Sequence, residues 1–255
     1  MSKFDNKLVF ITGGSSGIGK AMAEAFAEQG ARVCIGDIAD GSQIAGSIGG
    51  SYYRLDVTSE ENTRAVYQAI EDEHGKLDIL CLNAGIALED CTLEEFDIGK
   101  ARKMIDINLM GVILGLKYGT QHMNDGGAIV TAGSAAGGGM TVAMQGVYSA
   151  TKAGVHYLTR TVAIEQGARG IRANTLCPAS IAGTGMMIDE DDSPEAKFFG
   201  GITALGRMGR PADVVNMALF LASDEANFIT GGEFTVDGGL TAGLSNSLVG
   251  SLWGE

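Results

Sequence analysis

The sequence predicts an α/β fold: one doubly wound parallel sheet of about seven strands, with helices on both faces. Three observations predict it. Short runs rich in apolar and β-branched residues alternate with longer segments of helical period, the pattern of βαβ units that feed a parallel sheet. Several short runs, LVFIT and LDILCL among them, are apolar at nearly every position, as strands covered on both faces are. The 255 residues include 39 glycines with no period, about twice the usual share. They gather where apolar runs end, at tight strand-to-helix turns. No linker or shift in composition divides the chain, so residues 1–255 read as a single domain.

The elements follow in order. Lys7–Thr12 is a strand with an apolar centre, Leu8–Ile11, and Gly17–Gln29 has helical period behind a glycine-rich turn. Arg32–Ile35 is the second strand and Tyr52–Leu55 the third, followed by the helical segment Glu60–His74. Leu77–Leu82, Ala128–Ala132, Arg172–Leu176 and Glu233–Val236 complete the strands, with helical segments at Phe96–His122, Val147–Gln166 and Pro211–Ala222. Pro211 suits the first turn of its helix, where a missing N–H costs nothing. Ser180–Gly206 breaks the rhythm: Met186, Met187, Phe198 and Phe199 surround an acidic run, Asp189–Asp192. A long irregular stretch in a compact domain is functional or mobile, so residues 180–206 read as a substrate lid, with a separate tail at 240–255.

Charge and composition exclude whole classes. Lys and Arg number 18 against 31 Asp and Glu, a net charge of −13. Such a surface repels phosphate backbones and anionic lipid, so neither nucleic acid nor a membrane is expected as a partner. Apolar stretches fall short of the ~20 residues that cross a bilayer. No signal-type segment opens the chain, and a cytoplasmic location is expected. The four cysteines, Cys34, Cys81, Cys91 and Cys177, form no CxxC pair and no cluster with metal spacing. They read as small buried hydrophobes, with no metal site expected.

The first strand runs into ITGGSSGIGKAMAEAF, which places Gly13, Gly17 and Gly19 in a turn that opens a helix, with Ser15, Ser16 and Ile18 between them. Glycines there let the backbone approach a pyrophosphate, whose charge the helix N-terminus favours. The next strand ends at Asp37, 18 residues beyond Gly19. A carboxylate at that place accepts both ribose hydroxyls of NAD and repels the 2′-phosphate of NADP. Further on, GVYSATKAG sets Tyr148 and Lys152 four residues apart, on one helix face. An ammonium beside a phenol lowers the phenol's pKa and prepares it to exchange a proton with an alcohol or carbonyl oxygen.

Together these residues resemble the short-chain dehydrogenase/reductase family, over nearly the whole chain. TGGSSGIG at residues 12–19 resembles its glycine motif and LNAG at residues 82–85 its strand-4 motif. Asn108 in DINLMG, Ser134 in TAGSAAG, and Tyr148 with Lys152 resemble its catalytic four. The resemblance implies a Rossmann fold, NAD as cofactor, and Tyr148 as general acid/base. It further implies that Ser134 holds the substrate oxygen, that Lys152 lowers the tyrosine pKa and binds the nicotinamide ribose, and that Asn108 keeps a water that relays protons from Lys152. Asp56 and Val57 are expected to flank the adenine, Asn83, Ala84 and Gly85 to line the adenosine ribose side, and Ile181 to meet the carboxamide through its backbone. Where the family has Pro-Gly-x-Ile-x-Thr, this chain has Pro178, Ala179, Ser180, Ile181, Ala182, Gly183 and Thr184, which sets the threonine one residue late.

The function implied is hydride transfer between NAD(H) and a neutral secondary alcohol or ketone. Parts of the sequence resemble acetoin/butanediol-type enzymes and, equally, enzymes of cyclic or steroid alcohols. A non-catalytic dinucleotide-binding regulator of the same fold is the alternative, but it would have no need for Asn108, Ser134, Tyr148 and Lys152 together. His156 reads as a packing or subunit-contact residue. Met140, Met144, Met186 and Met187 read as a substrate-lining surface. The helical segments 96–122 and 147–166 carry more apolar residues than one buried stripe needs, and the tail adds Leu244, Leu248, Val249, Leu252 and Trp253. A second apolar side must be covered, so a homotetramer is expected, or failing that a dimer.

Overall fold

In the computed structural model, residues 2–88, 91–186 and 193–253 are described. Met187 and Asp189–Asp192 lie outside them, as do the side chains of Leu252 and Trp253. The sheet is built from β1 (Leu8–Thr12), β2 (Arg32–Asp37), β3 (Ser51–Arg54), β4 (Leu77–Leu82), β5 (Met123–Ala132), β6 (Arg172–Pro178) and β7 (Glu233–Val236). All pairings are parallel, in the order β3-β2-β1-β4-β5-β6-β7. Strand order reverses between β1 and β4, and ligands of such sheets bind at the carboxyl ends flanking that reversal. Thr12 pairs with Leu82 there, so the glycine turn and the LNAG segment leave the sheet side by side.

The helices are α1 (Gly17–Glu28), α2 (Ser42–Ser47), α3 (Glu60–His74), α4 (Ile98–Ile105), α5 (Gly111–Gly119), α6 (Gly146–Glu165), α7 (Pro194–Ile202), α8 (Pro211–Ala222) and α9 (Asn246–Trp253). They build two cores, one on each side of the sheet. Along β1, Val9 and Ile11 join Phe26 of α1 and Leu221 of α8, while Leu8 and Phe10 join Ile70 of α3 and Leu116 of α5. Every side chain of β1 is buried, which explains its unbroken apolar run. Each fully buried side chain of this kind contributes about 1.5–3 kcal/mol.

Three segments differ from the sequence reading. Residues 96–122 do not form one helix: between α4 and α5 lies a π-helical turn, Asp106–Met110. The wider turn carries Asn108 fully inside while Ile105 and Met110 stay exposed, and such turns commonly mark functional sites. The segment 180–206 is not irregular throughout, because α7 crosses it. Ser193 caps α7 by accepting the Ala196 N–H (3.0 Å), and Pro194 occupies its first turn. The tail forms α9 and docks on α7: the Ser245 hydroxyl donates to the Gly201 carbonyl (2.6 Å) and accepts from the Leu248 N–H (3.1 Å).

Candidate active site

The glycine turn is flattened against the end of β4. Gly13 has φ 67°, and a Cβ on it would come within 2.9 Å of the Ala84 Cα. A Cβ on Gly19 would collide with the Gly13 carbonyl oxygen. Both positions therefore need glycine. Ser16 gives α1 no side-chain cap among the described residues, which leaves its first N–H groups available to a phosphate. Asn83, expected at the adenosine ribose, spends its amide on the turn itself, donating to the carbonyls of Thr12 and Gly13 (both 3.2 Å). The Thr12 hydroxyl accepts from the N–H groups of Asn83 (3.0 Å) and Ala84 (3.1 Å). Thr12 is thus a fixing point that the sequence reading passed over, although it opens the glycine motif.

Asp37 ends β2 beside this turn. Its carboxylate accepts from the Ser15 N–H (3.0 Å) and hydroxyl through one oxygen, and from the Ala39 N–H (3.0 Å) through the other. A carboxylate offers about four acceptor sites, so with three taken it keeps one for a ribose hydroxyl. Asp56 follows β3, whose neighbour Leu55 donates its N–H to the Asp37 carbonyl (2.9 Å). The Asp56 carboxylate closes a local turn on Thr58 (3.0 and 2.7 Å). Val57 packs where a Cβ on Gly111 would reach it at 2.9 Å.

At the other end of the crevice the four expected side chains meet. Asn108 clamps Ile86 at two points, accepting its N–H and donating to its carbonyl (both 2.8 Å), and reaches the Thr151 hydroxyl at 3.4 Å. Thr151 in turn donates to the Tyr148 carbonyl (2.7 Å), a fixing contact that sequence spacing did not single out. Gly85 sits over the cluster: a Cβ there would be 3.3 Å from both the Asn108 Oδ1 and the Lys152 Nζ. Lys152 is buried, donates to the Ala132 carbonyl (2.8 Å), and places its Nζ 5.8 Å from the Tyr148 ring centre. Ser134 is buried and caps the short turn Ala135–Gly137 by accepting the Ala136 N–H (3.2 Å).

The electrostatics correct one expectation. Tyr148 was expected to be shifted down; instead burial pushes its phenol up, with a hydrogen bond to Ser134 working the other way. The same burial brings the Lys152 ammonium down to about 8. In both groups the cause is burial, which penalises whichever form is charged. Burial also pushes the thiols of Cys34, Cys81 and Cys177 up to about 12, which makes them poor nucleophiles.

Ile181 is buried, and its segment pairs with Gly209 through the N–H groups of Ala182 and Gly209 (both 3.0 Å). Thr184 lies over the glycine turn, where a Cβ on Gly17 would come within 3.2 Å of its carbonyl oxygen. Met144 and Leu93 flank the start of α6. Met144 is exposed, holds φ 68°, and accepts the Cys91 N–H (3.2 Å), while Leu93 packs over Gly146. His156 lies behind the site, between α6 and the sheet. Among the described residues no group of three or more His, Cys, Asp and Glu is placed to hold a metal ion, and no helix is long and apolar enough to cross a membrane.

A glycine turn at the sheet's reversal point, an acid at the end of the second strand, and a serine, tyrosine and lysine gathered beyond them define a dinucleotide-dependent oxidoreductase. Comparison with known proteins agrees. A family profile described as enoyl-(acyl carrier protein) reductase matches residues 13–241. The chain is 38% identical to cis-4-hydroxycyclohexanecarboxylate dehydrogenase of Sinomonas cyclohexanicum, over 94% of this chain and 98% of that one. It is 37% identical to 3-alpha-(or 20-beta)-hydroxysteroid dehydrogenase of Mycobacterium bovis, over 96% and 94%. A solved short-chain type dehydrogenase/reductase from Mycobacterium ulcerans superposes with a TM-score of 0.89 at 30% identity, covering 99% of this chain and 97% of that one. The chain belongs to the short-chain dehydrogenase/reductase family, whose members work with nicotinamide dinucleotides.

Proposed function

We propose that this protein oxidises a neutral secondary alcohol, or reduces the matching ketone, with NAD(H), and that Tyr148 is its general acid/base. The observation that carries the reading is the convergence of Ser134, Tyr148 and Lys152 at one end of a crevice whose other end is closed by Asp37. The residues present fit a dinucleotide: Gly13 and Gly19 leave a bare backbone where any side chain would clash, and Asp37 supplies an acceptor for the ribose of NAD but repels a 2′-phosphate. When bound, the dinucleotide takes up the hydride from the carbinol carbon or returns it. Gly13, Ser15, Ser16, Gly17, Ile18 and Gly19 would hold its phosphates, Asp37 its adenosine ribose, and Lys152 its nicotinamide ribose.

The chain's own residues handle the proton. In oxidation the phenolate oxygen of Tyr148 takes the hydroxyl proton of the alcohol; in reduction the phenol gives it back to the carbonyl oxygen. Ser134 donates to the same substrate oxygen and orients it. The buried Lys152 favours the phenolate when it carries its charge. Leu93 and Met144 offer exposed apolar side chains at the start of α6, the helix that carries Tyr148, which suits an uncharged body. Two relatives take ring-borne hydroxyl groups by name, so the substrate class proposed is an alicyclic secondary alcohol. The test is a screen of NAD⁺ reduction over cyclohexanol, a hydroxysteroid, a straight-chain secondary alcohol and an aryl secondary alcohol. Faster turnover of the alicyclic members supports the reading, and no turnover of any secondary alcohol refutes it.

A further inference from the structure

Behind the serine turn lies a buried polar chain that the reaction itself does not use. His156 is 2% exposed, one helical turn beyond Lys152 on α6. Its Nδ1 lies 3.1 Å from the Glu233 carboxylate on β7, and its Nε2 lies 3.5 Å from the Cys177 sulfur on β6. A carboxylate only accepts, so Nδ1 carries the proton and Nε2 accepts from the thiol. Arg160, a further turn along α6, fixes the other Glu233 oxygen (2.7 Å). The Cys177 sulfur lies against the backbone N–H groups of Ser134 and Phe234. Burial holds the imidazole below its ordinary pKa, against the pull of Glu233, so it stays the neutral donor–acceptor that this chain needs.

The ring also shapes the turn around Ser134. A Cβ on Gly133 would collide with the His156 Nε2, and one on Gly138 would come within 2.7 Å of the ring and 2.8 Å of the Glu233 carboxylate. Lys152 and His156, four residues apart on one face, thus meet the two residues that precede Ser134: Lys152 donates to the Ala132 carbonyl, and the His156 ring fills the space a Gly133 side chain would need. We propose that His156, locked by Glu233 and joined to the serine turn through Cys177, is a positioning residue that sets where the Ser134 hydroxyl stands. The proposal rests on the reading of Ser134 as the holder of the substrate oxygen.

A double-mutant cycle tests it, with His156→Asn measured in the unmutated and the Ser134→Ala enzyme, using the fastest alcohol of the screen. Glu233→Ala serves as a second variant and carries the test alone should His156→Asn not fold. In the unmutated enzyme each variant is expected to lower kcat at least ~5-fold, and in the Ser134→Ala background less than ~2-fold, as residues acting through one another do. NADH affinity, read by fluorescence, is expected to stay within ~2-fold, since a role routed through Ser134 spares cofactor binding. An equal loss in both backgrounds, or no loss in either variant, overturns the proposal while leaving Ser134 in its role. Undiminished turnover of Ser134→Ala by itself overturns the reading of the site, and this proposal with it.

Discussion

At the scale of single residues, the site sets burial against charge. Tyr148 is pushed up and Lys152 down, both chiefly by burial. The sign of the pH dependence follows. Ketone reduction needs the phenol, which is present below its raised pKa and lost as pH climbs through it. Alcohol oxidation needs the phenolate, so its kcat should rise with pH through the alkaline range. Lys152, held at about 8, loses its charge before the raised phenol ionises, so Lys152→Met should weaken NAD⁺ binding without moving that rise. Stopped-flow turnover in both directions across the range checks this, and a flat oxidation profile with chemistry rate-limiting contradicts it. Asp37 is the second residue-scale determinant. Because its carboxylate is held against the glycine turn by Ser15 and Ala39, Asp37→Ser should remove the repulsion of a 2′-phosphate without unfolding β2. The ratio of kcat/KM for NAD⁺ over NADP⁺ should then fall at least ~10-fold, the effect of ~1.4 kcal/mol at one charge.

At the scale of elements, α7 and α9 pack together, and we propose that they cover the substrate side of the crevice. α7 depends on the Ser193 cap and α9 leans on it through Ser245. Ser193→Ala should cost the lid about 1 kcal/mol. It should raise KM for the alcohol more than for NAD⁺ and speed amide exchange in residues 193–202, which hydrogen-exchange mass spectrometry reads. The elements that could be read from the sequence are those whose pattern is set by the sheet: β1 and β4 are buried on both faces and so read as unbroken apolar runs, and the glycine turn declares itself through Gly13 and Gly19. α7 and α9 could not be read, because one follows an acidic run and ends in paired glycines, and the other docks through the Ser245 hydroxyl on the Gly201 carbonyl, a contact with no periodic signature. The π turn escaped for a different reason: an inserted residue changes which side of the helix Asn108 faces without changing the helical composition. The four side chains beyond the crevice were named from motifs, but their fixing partners were not. Thr151 and Ile86, like Thr12 at the glycine turn, act through backbone groups and short hydroxyls, which leave no spacing to recognise.

At the scale of the molecule, the acidic surface and the exposed apolar positions on two neighbouring helices stand out. On α4 and the π turn, Ile98, Ile105 and Met110 are exposed, and on α6 so are Tyr157 and Ile164. Apolar faces of this kind on adjoining helices suit a two-fold contact between copies of the chain, and we propose a homotetramer. Light scattering is expected to give four times the chain mass of 26.4 kDa, and Ile105→Glu with Tyr157→Glu should lower it to a smaller species. A concentration-independent monomer in the unmutated protein contradicts this. We propose that the crevice carries out dinucleotide-linked alcohol oxidation through one phenol, Tyr148. The most direct measurement is single-turnover NAD⁺ reduction by Tyr148→Phe, with NADH binding measured alongside. Removing a positioned acid/base should lower the rate at least ~10²-fold while NADH still binds. Turnover at the unmutated rate would contradict the account.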